Sequence, residues 1–214
     1  MTALSTEPLA HGQLVDVGGF KMFLHVEGDG TPTVILDSGW GDGGWLDWYS
    51  LLPEIAKFAR VVAYDRAGIG WSEASPHARS AEQLAFELHT MLQRAKIPSP
   101  YILVGHSLGG LVVREFARCF PKEVAGVVLN DSPHDTQLVR WTESQRQAAR
   151  EWWTSTREEL EERSRLSHEE IVIKEKATLP PDFHYPFGPS IEELLWSRVT
   201  PKAGRALIAE MGVV

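Results

Sequence analysis

The sequence has a single cysteine, Cys119, so no disulfide can form within the chain. That usage suits a reducing compartment, and a cytoplasmic location is expected. No stretch approaches the roughly 18 consecutive apolar residues of a membrane-spanning helix, which excludes a membrane span. Met1 to Gln13 carries no apolar segment behind a basic patch, so no secretory signal is read. Lysine and arginine never cluster and the net charge is −8, which argues against a nucleic-acid partner. No group of His, Cys, Asp and Glu has metal-ligand spacing. Gly39 to Gly44 follows a strand pattern but lacks the lysine of a phosphate-binding loop. Neither a metal nor another cofactor is therefore expected. Repeats and low-complexity tracts are also lacking.

What remains is an ordinary globular composition over 214 residues, 43% hydrophobic and 23% charged, enough for one domain carrying an inserted segment. Residues 13–17 and 21–26 flank Gly18-Gly19 and read as a β-hairpin. Thr33 to Leu36 is apolar nearly throughout and reads as a central strand. A glycine-rich loop follows, from Asp37 to Gly44. Trp48, Leu51, Leu52 and Ile55 predict one face of a helix, and residues 60–64 a fourth strand. Ser80 with Gln83 reads as a capping box, and Leu84, Leu88, Met91, Leu92 and Ala95 give the buried face of the helix it opens. Residues 101–104 and 124–130 complete a set of six strands. Short apolar strands alternating with helices predict an α/β fold: a mostly parallel sheet with helices on both faces.

From about residue 135 the pattern becomes helical. Thr142 with Gln145, Ser167 with Glu170 and Ser190 with Glu193 read as capping boxes, and Thr200-Pro201 as a helix start. Ala149, Trp152, Trp153, Thr156 and Leu160 share one helix face. Glu159/Arg163 and Glu161/Arg165 are expected as ion pairs on the solvent side. The division expected is a core over residues 1–134 and a helical cap over 135–214.

The organising stretch is Val104-Gly105-His106-Ser107-Leu108-Gly109-Gly110, a Gly-x-Ser-x-Gly between a strand pattern and a helix pattern. Such a turn exposes a serine hydroxyl at a helix N-terminus, the arrangement of a nucleophile elbow. The alternative for Ser107 is a helix-capping serine.

Several motifs together resemble the α/β-hydrolase superfamily, its serine esterase-like branch. Ser38-Gly39-Trp40-Gly41 looks like that family's oxyanion loop, and residues 64–72 resemble its loop after the fourth strand. Residues 105–110 look like its elbow, and residues 128–132 like the end of its sixth strand. The resemblance implies a serine hydrolase cleaving a small to medium ester or amide through an acyl-enzyme on Ser107. The backbone N–H groups of Trp40 and Leu108 would form the oxyanion hole. C–C bond hydrolysis, aminopeptidase and cofactor-free peroxidase activity share that site plan.

The family's last strands, which carry the triad acid and histidine, have no match here, and only Gly212-Val213-Val214 could begin one. Asp131, after the sixth strand, is the candidate acid, against an ordinary strand-end residue. His134 is the nearest candidate base, with His168 and His184 as others. His106 is read as structural, Asp65 and Arg66 as a loop-fixing pair, and Cys119 as a packing residue. Trp40, Trp45, Trp71, Trp152 and Trp153 are read either as an acyl pocket or as core. The missing strands imply a truncated chain, one completed by a partner or homodimer covering the exposed sheet edge, or a rearranged site. The rival reading is a catalytically incomplete fragment or a binding protein on the same fold.

Overall fold

A computed structural model describes residues 11–41, 43–134, 136–180, 195–196 and 198–211. Six strands form one sheet: β1 (Gln13–Asp16), β2 (Lys21–Glu27), β3 (Thr33–Asp37), β4 (Val61–Tyr64), β5 (Tyr101–His106) and β6 (Val124–Asn130), in the order β1-β2-β4-β3-β5-β6. β1 runs antiparallel to β2 and β2 antiparallel to β4, while β4, β3, β5 and β6 are mutually parallel. The β1–β2 turn places Gly18 and Gly19 at φ +120° and +103°, a region that residues with a Cβ rarely enter.

Alternation along each strand feeds two cores. Met22, Leu24, Ile35, Val62 and Leu103 pack with Leu84, Leu88 and Met91 of α2 (Ala81–Arg94) and with Val112 and Phe116 of α3 (Leu108–Cys119). Phe23, Val34, Leu36, Val61 and Ala63 face the other way, onto Trp45, Leu46, Trp48 and Leu52. β3 lies between β4 and β5 and is buried along its whole length. β6 has no strand beyond it among the described residues, and Val127, Val128 and Leu129 are 39%, 50% and 49% exposed.

Among the described residues, the sheet is followed by the helices α4 (Gln137–Arg140), α5 (Glu143–Arg163), α6 (His168–Thr178) and α7 (Pro201–Glu210). Thr142 and Ser167 head α5 and α6 with complete capping boxes, and Thr200 accepts the Ala203 N–H ahead of Pro201. Leu160 of α5 packs with Ala203 and Leu207 of α7 over Ile69, Trp40 and Trp153. The helical segment thus sits over the loops that follow β3 and β4. No helix among the described residues is long and apolar enough to cross a membrane.

The structure corrects several local expectations. The helix expected around residues 48–55 is instead a 3₁₀ turn, Gly44–Trp48, and one short turn, α1 (Leu52–Ile55), and Leu51 is 46% exposed. Gly44 enters it at φ +55°, and Pro53 in the next turn has no N–H to give a continuous helix. Only half of the box at Ser80 forms. Its hydroxyl accepts the Gln83 N–H, but the Gln83 amide donates to Glu87 instead of returning to Ser80. Arg163 is buried under α7 at 7% exposure, not on the solvent side, with its methylenes facing Gly204. Arg165 stays outside and meets Glu161 at 4.0 Å. Cys119 is half-buried in the last turn of α3. The box expected at Ser190, and His184, lie outside the described residues.

Candidate active site

β5 ends at His106 and α3 begins at Leu108, so Ser107 alone makes the strand-to-helix turn, at φ +49° and ψ −118°. A residue with a Cβ pays on the order of 1–3 kcal/mol for a sparsely populated conformation of this kind, and surrounding contacts must enforce it. They do. The Ser107 N–H donates to the Asn130 carbonyl (3.1 Å) and the Ser107 carbonyl accepts the Gly110 N–H (2.9 Å). A Cβ on Gly105 would lie about 2.5 Å from the Gly109 carbonyl, so the turn closes only with glycine there. Ser107 makes no side-chain capping bond to α3, leaving its hydroxyl out of the helix start.

Ser107 opens into a cleft of about 500 Å3 lined also by Trp40, Leu108, Asp131, Ser132, Pro133, Gln137, Trp152 and Trp153. Asp131 is exposed, has φ +46°, and reaches the cleft because β6 lies beside β5, with Asn130 in register with His106. His134 is not among the described cleft residues. Its Nδ1 accepts the Thr136 N–H at 3.1 Å and faces the Thr136 hydroxyl at 3.0 Å, in the turn leading to α4. His168 stands at the head of α6 with Nδ1 3.0 Å from the Val199 carbonyl. No described histidine lines the cleft. The His106 ring instead lies against the backbone of Gly39.

The five tryptophans divide. Trp40, Trp152 and Trp153 meet edge-to-face over the cleft, with ring centres 4.6 to 5.9 Å apart. Trp45 and Trp71 belong to a separate aromatic cluster with Phe23 and His11.

The loop after β3 is held by one buried guanidinium. Arg66 donates through Nη1 to Asp37 (2.9 Å) and the Ser38 carbonyl (2.7 Å), and through Nη2 to the Gly39 carbonyl (2.6 Å) and Glu210 (3.2 Å). Its Nε donates to the other Glu210 oxygen at 3.0 Å. In a trans peptide the C=O of one residue and the N–H of the next point in opposite directions. The Gly39 carbonyl turned toward Arg66 therefore turns the Trp40 N–H away from it. A Cβ on Gly39 would stand 3.4 Å from the Ser107 Cβ, so this peptide abuts the elbow. The Leu108 N–H belongs to the first turn of α3, whose donors have no intrahelical acceptor. The Gly39–Trp40 peptide and the first turn of α3 thus both border Ser107.

Burial pushes the Asp37 carboxyl up to about 6, against the opposing pull of Arg66 and the Tyr64 hydroxyl. Arg66 is fully buried, which works against its charge, but Glu210 and Asp37 more than offset this and hold it protonated. Asp65 fixes the next loop by accepting the Trp45 and Trp71 N–H groups at 3.2 and 3.1 Å and pairing with Arg198. The sequence reads Asp65 and Arg66 as a loop-fixing pair. Each holds a loop, but through separate partners, Arg198 for Asp65 and Glu210 with Asp37 for Arg66. The sequence reading missed Glu210 and Arg198. No local pattern links positions 144 and 133 residues apart. No group of three or more metal-ligating side chains occurs among the described residues.

Comparison with known proteins agrees with this fold. Residues 32–173 match the family described as alpha/beta hydrolase fold. Over 121 residues the chain is 34% identical to a 2-hydroxy-6-oxo-2,4-heptadienoate hydrolase of Pseudomonas putida, covering 55% of this chain and 43% of that protein. It is 31% identical over 131 residues to the uncharacterized protein YbdG of Bacillus subtilis, covering 61% of this chain and 40% of that one. The chain therefore spans about two-fifths of the length of these curated relatives. A thermophilic esterase from Thermogutta terrifontis superposes with a TM-score of 0.64 at 21% identity, over 92% of this chain and 70% of that one. By its sequence and its sheet, the chain belongs to the alpha/beta hydrolase fold family.

Proposed function

We propose that the protein is a serine hydrolase acting on a small to medium ester or amide through an acyl-enzyme on Ser107. The observation that carries this reading is the strained backbone of Ser107 at the mouth of a cleft that Trp40 and Leu108 also line. Ser107 Oγ attacks the substrate carbonyl carbon and gives its proton to a general base. The carbonyl oxygen takes the negative charge against the Trp40 and Leu108 N–H groups. Collapse expels the alcohol or amine, and water then releases the acid by the same steps. Asp131 is the proposed acid, because it is the one carboxylate lining the cleft among the described residues. The base is the one role that no described cleft residue fills. Residues 135–214 would act as a cap, with Trp152 and Trp153 closing an apolar acyl pocket over the elbow.

Turnover of p-nitrophenyl acetate, compared between the wild type and Ser107→Ala, tests the reading. Hydrolysis that drops to the buffer rate in Ser107→Ala is the expected result. A folded wild-type chain that never exceeds the buffer rate would favour the rival reading, a chain on this fold that is catalytically incomplete or binds without catalysis. The geometry supports that rival at one point, the cleft without a described histidine.

A further inference from the structure

We infer that Glu210, at the end of α7, is a positioning residue for the loop after β3, acting through Arg66 on the peptides that carry the Ser38 and Gly39 carbonyls. The inference rests on the reading of that loop as the oxyanion loop. Glu210 is completely buried and grips Arg66 with both carboxylate oxygens, at 3.0 and 3.2 Å. The guanidinium's five hydrogen bonds are thereby divided between a strand end and a helix end: three to Asp37 and the loop carbonyls on one side, two to Glu210 on the other. A planar guanidinium fixed at both ends has little freedom to turn, and its bidentate fork sets direction as well as distance. Because the two loop carbonyls accept from that fork, its orientation sets the orientation of the Trp40 N–H on the opposite side of the peptide.

A chain of buried charges extends the linkage. Glu210 faces Arg79 at 3.8 Å, and Arg79 holds both oxygens of Glu87 on α2 at 2.7 and 2.8 Å. α7 also touches the loops directly. The Trp40 Nε1–H donates to the Leu207 carbonyl at 3.0 Å, and Lys202 donates to the Gly70 and Ser72 carbonyls at 2.8 and 2.7 Å. A helix that begins 94 positions after the elbow serine thus holds the loop on the far side of that serine. Catalytic geometry displaced by about an ångström costs on the order of a hundredfold in rate, so a positioning residue can act without touching substrate.

The experiment uses the full chain with Glu210→Gln, which keeps shape and volume but removes the charge. Arg205→Ala serves as the comparison, since it removes another anchor of α7, the bond to the Ser164 carbonyl at 3.2 Å, and leaves Glu210, Arg66 and Trp40 unchanged. Amide hydrogen exchange of residues 37–41 is measured against that of β2 and β4, which needs no activity. In parallel, covalent labelling by a fluorophosphonate is resolved into its reversible binding constant and its bond-forming rate. Glu210→Gln is expected to speed exchange in residues 37–41 by about tenfold or more with β2 and β4 unchanged. It is also expected to slow bond formation by about tenfold with reversible binding unchanged. Arg205→Ala should reproduce neither. Uniform acceleration of exchange across the sheet in Glu210→Gln, or equal loop loosening in Arg205→Ala, would overturn the inference. A wild-type chain that takes no label would overturn the nucleophile reading and leave the exchange result to decide the role of Glu210.

Discussion

β3 and β6 are built from nearly the same residues and meet opposite fates. Thr33-Val34-Ile35-Leu36-Asp37 is buried at every position, between β4 and β5. Val127-Val128-Leu129, just as apolar, stands 39 to 50% exposed at the sheet edge. Each strand then delivers an aspartate at its C-terminal end. Asp37 is fully buried, paired with Arg66 and Tyr64, and holds a loop. Asp131 is exposed and lines the cleft. Composition therefore says that a segment is a strand, but its neighbours decide whether its apolar side chains stabilise the fold and whether its terminal acid is buried against a loop or exposed in a cleft. A long apolar edge is the feature that natural sheets normally blunt or cover.

The largest expected difference between the two strands is in stability. Ile35→Ala should cost about 2–5 kcal/mol, the range for deleting a fully buried aliphatic side chain, whereas Val128→Ala should stay within about 0.5 kcal/mol. Urea midpoints of the two variants check this. Equal losses would mean that β6 is as well covered as β3.

The second difference concerns the two aspartates and pH. Asp37 has a carboxyl raised from 3.8 to about 6 by burial, so the folded chain binds that proton more tightly than the unfolded chain does. Stability from this group is therefore greatest below about pH 4 and falls as pH rises to about 6, with no further change above. Relative to Asp37→Asn, the wild type should lose on the order of 3 kcal/mol across that window. Denaturant midpoints at pH 4, 5, 6 and 7 read it directly. A difference between wild type and variant that stays constant with pH would show that Arg66 and Tyr64 fully compensate the burial of the carboxylate.

The smallest expected effect on folding, and the sharpest on association, comes from charging the edge. Val128→Lys should leave the urea midpoint within about 0.5 kcal/mol and reduce self-association in sedimentation, because edge lysines oppose strand-to-strand pairing. Unchanged sedimentation would remove β6 as a contact surface between chains.

Much of this was legible in the residues because it is local. The hairpin at Gly18-Gly19, the burial of Thr33 to Leu36, the elbow around Ser107, and the caps at Thr142, Ser167 and Thr200 each depend on a few neighbouring positions. What was not legible depends on distant partners. The fork from Arg66 to Glu210 spans 144 positions. Arg163 satisfied a helical charge spacing on paper, yet α7 covers it in the fold. The five tryptophans could not be sorted by sequence either. Trp40, Trp152 and Trp153 reach the cleft only because α5 folds back over the loop after β3. For the same reason, the direction in which His134 turns could not be foreseen from spacing. His134 lies three positions from Asp131, but its Nδ1 is turned to Thr136.

The central claim is that Ser107 is a nucleophile presented by a strained turn at the mouth of a cleft. Intact-mass spectrometry after incubation with a fluorophosphonate, followed by peptide mapping, tests it most directly. The account predicts one adduct, located on Ser107 and lost in Ser107→Ala. An adduct located on any other residue, or a folded wild-type chain that acquires none, would contradict it.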